Sequence, residues 1–95
     1  MEFYYENCMG DKGCFEEDDL IKAIYTAWNI EADLYLFANG DWQIIFSPHD
    51  DNEYNSQLLE FYGYKMVDGE KEREIIEIKT GKIVKYDWSE VKQLV

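Results

Sequence analysis

Residues 32–47 read ADLYLFANGDWQIIFS, two β-rich runs on either side of Asn39-Gly40. An Asn-Gly pair between such runs is the strongest short-range signature of a type I′ hairpin, because both central residues of that turn need positive φ. A two-residue turn fixes the register. It sets Phe37 against Trp42, Tyr35 against Ile44 and Asp33 against Phe46 on one face, and Leu36 against Gln43 and Leu34 against Ile45 on the other. Both faces are substantially apolar. One must cover the core, and the aromatic one is either covered by a helix or left for a partner.

Upstream of the hairpin, Glu2 to Cys8 reads as a short aromatic strand and Met9–Cys14, with Gly10 and Gly13, as a turn. From Phe15 to Asn29 the apolar residues Leu20, Ala23, Ile24, Ala27 and Trp28 recur at helical spacing. Glu16, Glu17, Asp18 and Asp19 fill the first turn of this expected helix, where its dipole favours acids. Asp18 and Asp19 point away from the apolar stripe, together with Lys22 and Thr26.

Downstream, SPHDDNEYN is a polar loop, and Ser56–Tyr62 reads as a short helix stopped by Gly63. Three strands are expected next. A turn at Asp68-Gly69 pairs Lys65 with Glu72, and a turn at Thr80-Gly81 pairs Ile78 with Ile83 and Ile75 with Tyr86. Asp87 and Glu90 have the spacing of a capping box opening a last helix, Trp88–Leu94. The expected order is β-α-β-β-α-β-β-β-α. It describes one α+β domain over residues 1–95, with a mostly antiparallel, meandering sheet packed by two or three short helices.

Composition bounds the rest. Of the 95 residues 46% are apolar and 17% aromatic, whereas disordered acidic chains are poor in aromatics. No stretch approaches the roughly 18 apolar residues of a membrane span. The N-terminus carries Glu2, Glu6 and Asp11 where a secretory signal would be basic and then apolar. A cytoplasmic location and reduced thiols at Cys8 and Cys14 are the expectation.

Catalytic and metal motifs are sparse. Cys8 and Cys14 form one cysteine pair, and His49 is the single histidine, too few for a four-ligand zinc site. His49-Asp50-Asp51 lacks the further ligands of a metal-dependent hydrolase. The loop from Asp50 lacks the glycine of a calcium loop, and its twelfth position is Phe61 rather than glutamate. No phosphate loop, nucleophile elbow or dinucleotide fingerprint occurs. No cofactor is expected, and an enzyme built on His49 and neighbouring acids ranks last among the readings. Lys65, Lys71, Arg73, Lys79, Lys82 and Lys85 are interleaved with acids, which argues against direct binding of nucleic acid.

Charge is the informative quantity. The net charge of −12 belongs to residues 1–64, where 14 Asp and Glu face only Lys12 and Lys22. A one-sided acidic field attracts basic protein surfaces and repels nucleic acid and anionic membrane. Crowded carboxylates cost self-repulsion, which a small domain carries more readily if the field is used. Tyrosine and tryptophan are the favoured anchors of protein interfaces, and carboxylates can stand in for phosphates against arginine. The residues expected to contact a partner are Asp18, Asp19, Glu31, Asp33, Asp41, Asp50, Asp51 and Glu53, with the aromatic Trp42 and Tyr54.

In size, charge and architecture the chain resembles two groups of small inhibitors. One is the anti-CRISPR and anti-restriction proteins that phages deploy against host nucleases. The other is the immunity proteins that neutralise nuclease toxins. No family motif is present, so no family residues carry over. The resemblance implies a protein-binding inhibitor that occludes a basic, nucleic-acid-handling surface. The alternative is a non-enzymatic structural or regulatory module that self-associates through the aromatic hairpin face.

Overall fold

The hairpin forms at the expected turn. Asn39 has φ 57° and Gly40 φ 80°, as a type I′ turn requires. The computed structural model describes residues 1–49 and 54–94. Strands β3 (Asp33–Ala38) and β4 (Asp41–Phe46) flank the turn, with Phe37 opposite Trp42, Leu36 opposite Gln43 and Tyr35 opposite Ile44. Beyond that point the two-residue register fails. A bulge between Leu34 and Tyr35 sets Leu34 against Phe46, in place of the expected Asp33–Phe46 and Leu34–Ile45 pairs. One extra residue on β4 lets Ile45 and Phe46 both become fully buried, which strict alternation forbids.

Two further strands complete this sheet. β1 (Glu2–Glu6) pairs antiparallel with β3, and β2 (Lys12–Glu16) pairs antiparallel with β1, giving the order β2-β1-β3-β4. β2 occupies sequence expected as turn and helix start. The turn is confined to residues 7–11, where Asn7 accepts from the Met9 and Asp11 N–H groups and donates to the Ile30 carbonyl. Strand pairing satisfies the backbone groups of Gly13 and Phe15 and buries the Phe15 ring, a return that a fraying first helical turn could not match.

Helix α1 therefore runs only over Leu20–Trp28. Asp19 is its N-cap, not part of its first turn, and accepts from the N–H groups of Ile21 (3.0 Å) and Lys22 (3.2 Å). The helix is buried on more than its apolar stripe: Ile21, Tyr25 and Thr26 are also inside. Thr26, expected on the solvent side, donates to the Lys22 carbonyl at 2.8 Å, which is how a hydroxyl is satisfied inside a helix. One flank of α1 packs on β3. On the other, the Tyr25 hydroxyl donates to the Val84 carbonyl and its ring meets Tyr86 and Trp88.

Helix α2 (Ser56–Phe61) is capped by Asn55 and stopped at Gly63, whose φ of 95° suits glycine. Strands β5 (Tyr64–Asp68) and β6 (Arg73–Glu77) form a separate two-stranded antiparallel sheet. Asp68 faces Arg73, so the connection is a four-residue loop and Lys65 pairs with Ile76 rather than Glu72. The expected third strand contributes one bridge, Ile76 with Ile83, shifted from the Ile78–Ile83 and Ile75–Tyr86 pairs. The shift arises because the Ile78 N–H bonds back to the Gly63 carbonyl and the Gly81 N–H closes a turn onto Glu77. The Asp87–Glu90 capping box is present, but it opens only a 3₁₀ turn, Trp88–Glu90, in place of a helix to Leu94.

The result is an α+β fold with two antiparallel sheets, of four and two strands. Arg73 joins them: its guanidinium donates to the Ser47 carbonyl at 2.6 Å and lies 5.7 Å from the centre of the Phe46 ring. Among the described residues no helix is long and apolar enough to cross a membrane.

Candidate functional site

Strand alternation sends Phe3, Tyr5, Phe15, Leu34 and Leu36 from the four-stranded sheet into the core beneath α1. The residues between them form the opposite face. Across its middle the register lines up Cys14, Tyr4, Tyr35 and Ile44 on four successive strands. Tyr4 packs on Tyr35 at 5.7 Å and on Trp42 at 6.1 Å, and Trp42 meets Phe37 edge-on at 5.2 Å. Helix α1 lies on the other side of the sheet. Phe37 stays 46% exposed and Trp42 38%, so these rings are a surface and not a second core.

Carboxylates border this aromatic floor at both ends. Glu2 lies opposite Glu16 at one end, and Glu6 lies opposite Asp33 at the other. Lys12, opposite Glu6, is the one cation among these sheet residues. The Tyr4 hydroxyl donates to Glu6 at 3.4 Å. Desolvation first, and then the Glu6 charge, hold the Tyr4 phenol above its ordinary pKa. The face therefore resists a further negative charge. Its rings and carboxylates suit a guanidinium or ammonium group, which can lie on a ring and bond to an acid at the same time.

The expected contact residues divide sharply. Asp33 and Trp42 lie on this face. Glu31 lies at the acidic end of the face, outside the strands. It sits just past α1 with φ 51°, lining a shallow depression at the acidic end with Glu6, Asn7, Cys8, Asp33 and His49. Cys8 and His49 are thus neighbours, but no hydrogen bond joins them among the described residues. Asp41 is at the hairpin tip, where it accepts from the Trp42 N–H at 2.8 Å. Tyr54 is half-buried against the core. Asp50, Asp51 and Glu53 lie outside the described residues.

Asp18 and Asp19 are elsewhere, beside Met1, Leu20, Tyr62 and Tyr64. Asp18 is exposed, but Asp19 is committed within the fold. Its second carboxylate oxygen accepts a short hydrogen bond from the Tyr86 hydroxyl while the first caps α1. That bond, more than burial, pushes the Tyr86 phenol up to about 12.

Glu2, Tyr4, Glu6 and Glu16 belong to the face and were not among the expected contacts. Alternation in Glu2-Phe3-Tyr4-Tyr5-Glu6 already sets Glu2, Tyr4 and Glu6 on one side of a strand. Nothing local shows that this strand pairs with β3. Cys8 and Cys14 are free and exposed. Among the described residues no group of three or more His, Cys, Asp or Glu is placed to hold a metal ion. Comparison with known proteins finds no matching family model, no matching curated protein and no matching solved structure, so the site is read from its own geometry.

Proposed function

We propose that the chain is a small protein-binding inhibitor, whose open sheet face receives arginine or lysine side chains from the nucleic-acid-binding surface of a basic protein. The observation that carries this reading is the Tyr4–Tyr35–Phe37–Trp42 floor, with Phe37 and Trp42 exposed and the two tyrosines half-buried, bordered by Glu2, Glu16, Glu6 and Asp33. Exposed aromatics supply dwell time, and the −12 field steers association and makes it salt-sensitive. Occupying the partner's basic groups would exclude nucleic acid by sterics and charge. Such an inhibitor would act on a nuclease or another nucleic-acid-handling protein, as the anti-CRISPR-like or immunity-protein resemblance implies.

The test is capture from nuclease-treated lysate, followed by a binding assay on whatever is captured. The expected product is a basic protein that elutes at raised salt and loses its nucleic acid when the acidic protein is added. Trp42→Ala, or Glu6→Lys with Asp33→Lys, should abolish both effects. Capture that survives these changes, or a captured protein whose nucleic-acid binding is untouched, refutes the reading. A second reading, self-association through the same rings, is favoured by the exposure of Phe37 and Trp42. It predicts a salt-tolerant homodimer lost on Trp42→Ala.

A further inference from the structure

The two edges of the four-stranded sheet are treated differently. On the β4 side, the Asn55 N–H donates to the Ile44 carbonyl at 2.7 Å and the Asn55 side chain bonds to Gln43, so chain already covers that edge. β2 is the other edge, and among the described residues no strand lies beyond it. Its hydrogen-bond phase follows from its flanks. The Asn7 N–H donates to the Asp11 carbonyl and the Glu17 N–H to the Met1 carbonyl, so the odd-numbered residues of β2 turn their backbone groups toward β1. Lys12, Cys14 and Glu16 therefore present N–H and C=O outward. Among these outward groups the Glu16 carbonyl accepts from Lys92, and a carbonyl has a second lone pair to offer.

We propose that β2 pairs with β2 of a second copy, antiparallel about a two-fold axis through Cys14. In that register Cys14 meets Cys14 of the other copy, and Lys12 meets Glu16 at both ends. These are the residues whose backbone groups point outward, so hydrogen-bond phase and charge pattern select the same pairing. Opposite charges directly across a strand pair stabilise it, and like charges destabilise it. Lysines on an edge usually guard against pairing. Here one cation and one anion placed symmetrically about a small central residue are complementary to themselves. The contact is small and joins two acidic bodies, so it belongs to the weak, concentration-dependent class of interfaces.

This pairing is independent of what the aromatic face binds. The axis stands perpendicular to the sheet, so the aromatic faces of both copies lie on the same side of one eight-stranded sheet and remain open.

The test uses the full chain carrying Cys8→Ala. In an antiparallel hydrogen-bonded pair the Cα atoms lie about 5.5 Å apart, inside the range of roughly 4.4–6.8 Å that a disulfide spans. Diamide converts two Cys14 thiols into one disulfide and takes up both protons and both electrons as it becomes a hydrazine. The expected result is a covalent dimer through Cys14, and a concentration-dependent dimer in sedimentation under reducing conditions. Lys12→Glu and Glu16→Lys should each slow cross-linking by at least about fivefold. The double variant, which reverses the pair, should restore it. Circular dichroism checks that each variant is folded. Net charge alone predicts something else: Glu16→Lys, with less repulsion, would cross-link faster than the parent. That result, failure of the double variant to recover, or a monomer at every concentration overturns the proposal. So does protection of the β2 amides from exchange only when a different protein is added.

Discussion

Replacing Asp19 by alanine should destabilise the fold, although sequence alone suggests a solvated acid free to meet a partner. The carboxylate performs two tasks at once. One oxygen caps α1 through the Ile21 and Lys22 N–H groups, and the other accepts from Tyr86, 67 residues away in sequence. Losing an N-cap costs about 1 kcal/mol. A hydrogen bond to a charged acceptor contributes about 1.5 kcal/mol at the lower end of its range, appropriate for a half-buried phenol. The sum, roughly 2.5 kcal/mol, is a large fraction of the about 5–14 kcal/mol expected for a domain of this length. It corresponds to a fall in Tm of roughly 10–20 °C. Urea and thermal unfolding measure it. Tyr86→Phe should lose only the second contribution. Asp19→Asn keeps the cap and should cost less than about 1 kcal/mol, and Asp18→Ala should stay within about 0.5 kcal/mol of the parent. Asp19→Ala with Tyr86→Phe should cost less than the two separate losses combined, because they share one bond. If Asp19→Ala proves as harmless as Asp18→Ala, the dual role of this carboxylate is refuted.

Three other outcomes are expected. Tyr86 should ionise near pH 12, as followed by tyrosinate absorbance, and Asp19→Asn should bring it back toward 10. The folded pKa is raised, so the stability this phenol contributes is complete below about pH 10 and lost as pH rises toward 12; an unchanged midpoint in Asp19→Asn would contradict the assignment. Arg73→Ala removes the tie to the Ser47 carbonyl and should cost about 1.5–3 kcal/mol in urea unfolding, whereas a loss below about 0.5 kcal/mol would show that the two sheets are held without it. Trp42→Ala should lower stability by less than about 1 kcal/mol, since the ring is already partly in water, while abolishing partner capture; a large loss of stability would mean the ring is part of the core.

Much of the fold was legible locally. Asn39-Gly40, the Gly63 stop and the Asp87–Glu90 box all act within a few residues, and each occurs where its chemistry predicts. The errors share one cause. Lys12–Glu16 became a strand because β1 was available to pair with it, and the bulge on β4 arose because the core had room for both Ile45 and Phe46. Asp68-Gly69 did not make a two-residue turn. A Cβ at Gly69 would lie 2.5 Å from the Glu72 carbonyl oxygen, and the Gly69 N–H donates to that same carbonyl across the longer loop.

The open aromatic face was half legible for the same reason. The hairpin contributes Tyr35, Phe37, Trp42 and Asp33, whose shared side follows from a period of two residues. Its other half, Glu2, Tyr4, Glu6 and Glu16, comes from strands whose neighbours are chosen by long-range pairing. Composition alone determined that the chain is acidic, aromatic-rich and able to fold, and short-range turn and cap chemistry determined most element types. Which strands became neighbours, which carboxylates border the rings and which, like Asp19, are consumed inside the fold were decided by tertiary structure. The backbone groups and apolar area that settle those choices are satisfied only when distant segments meet.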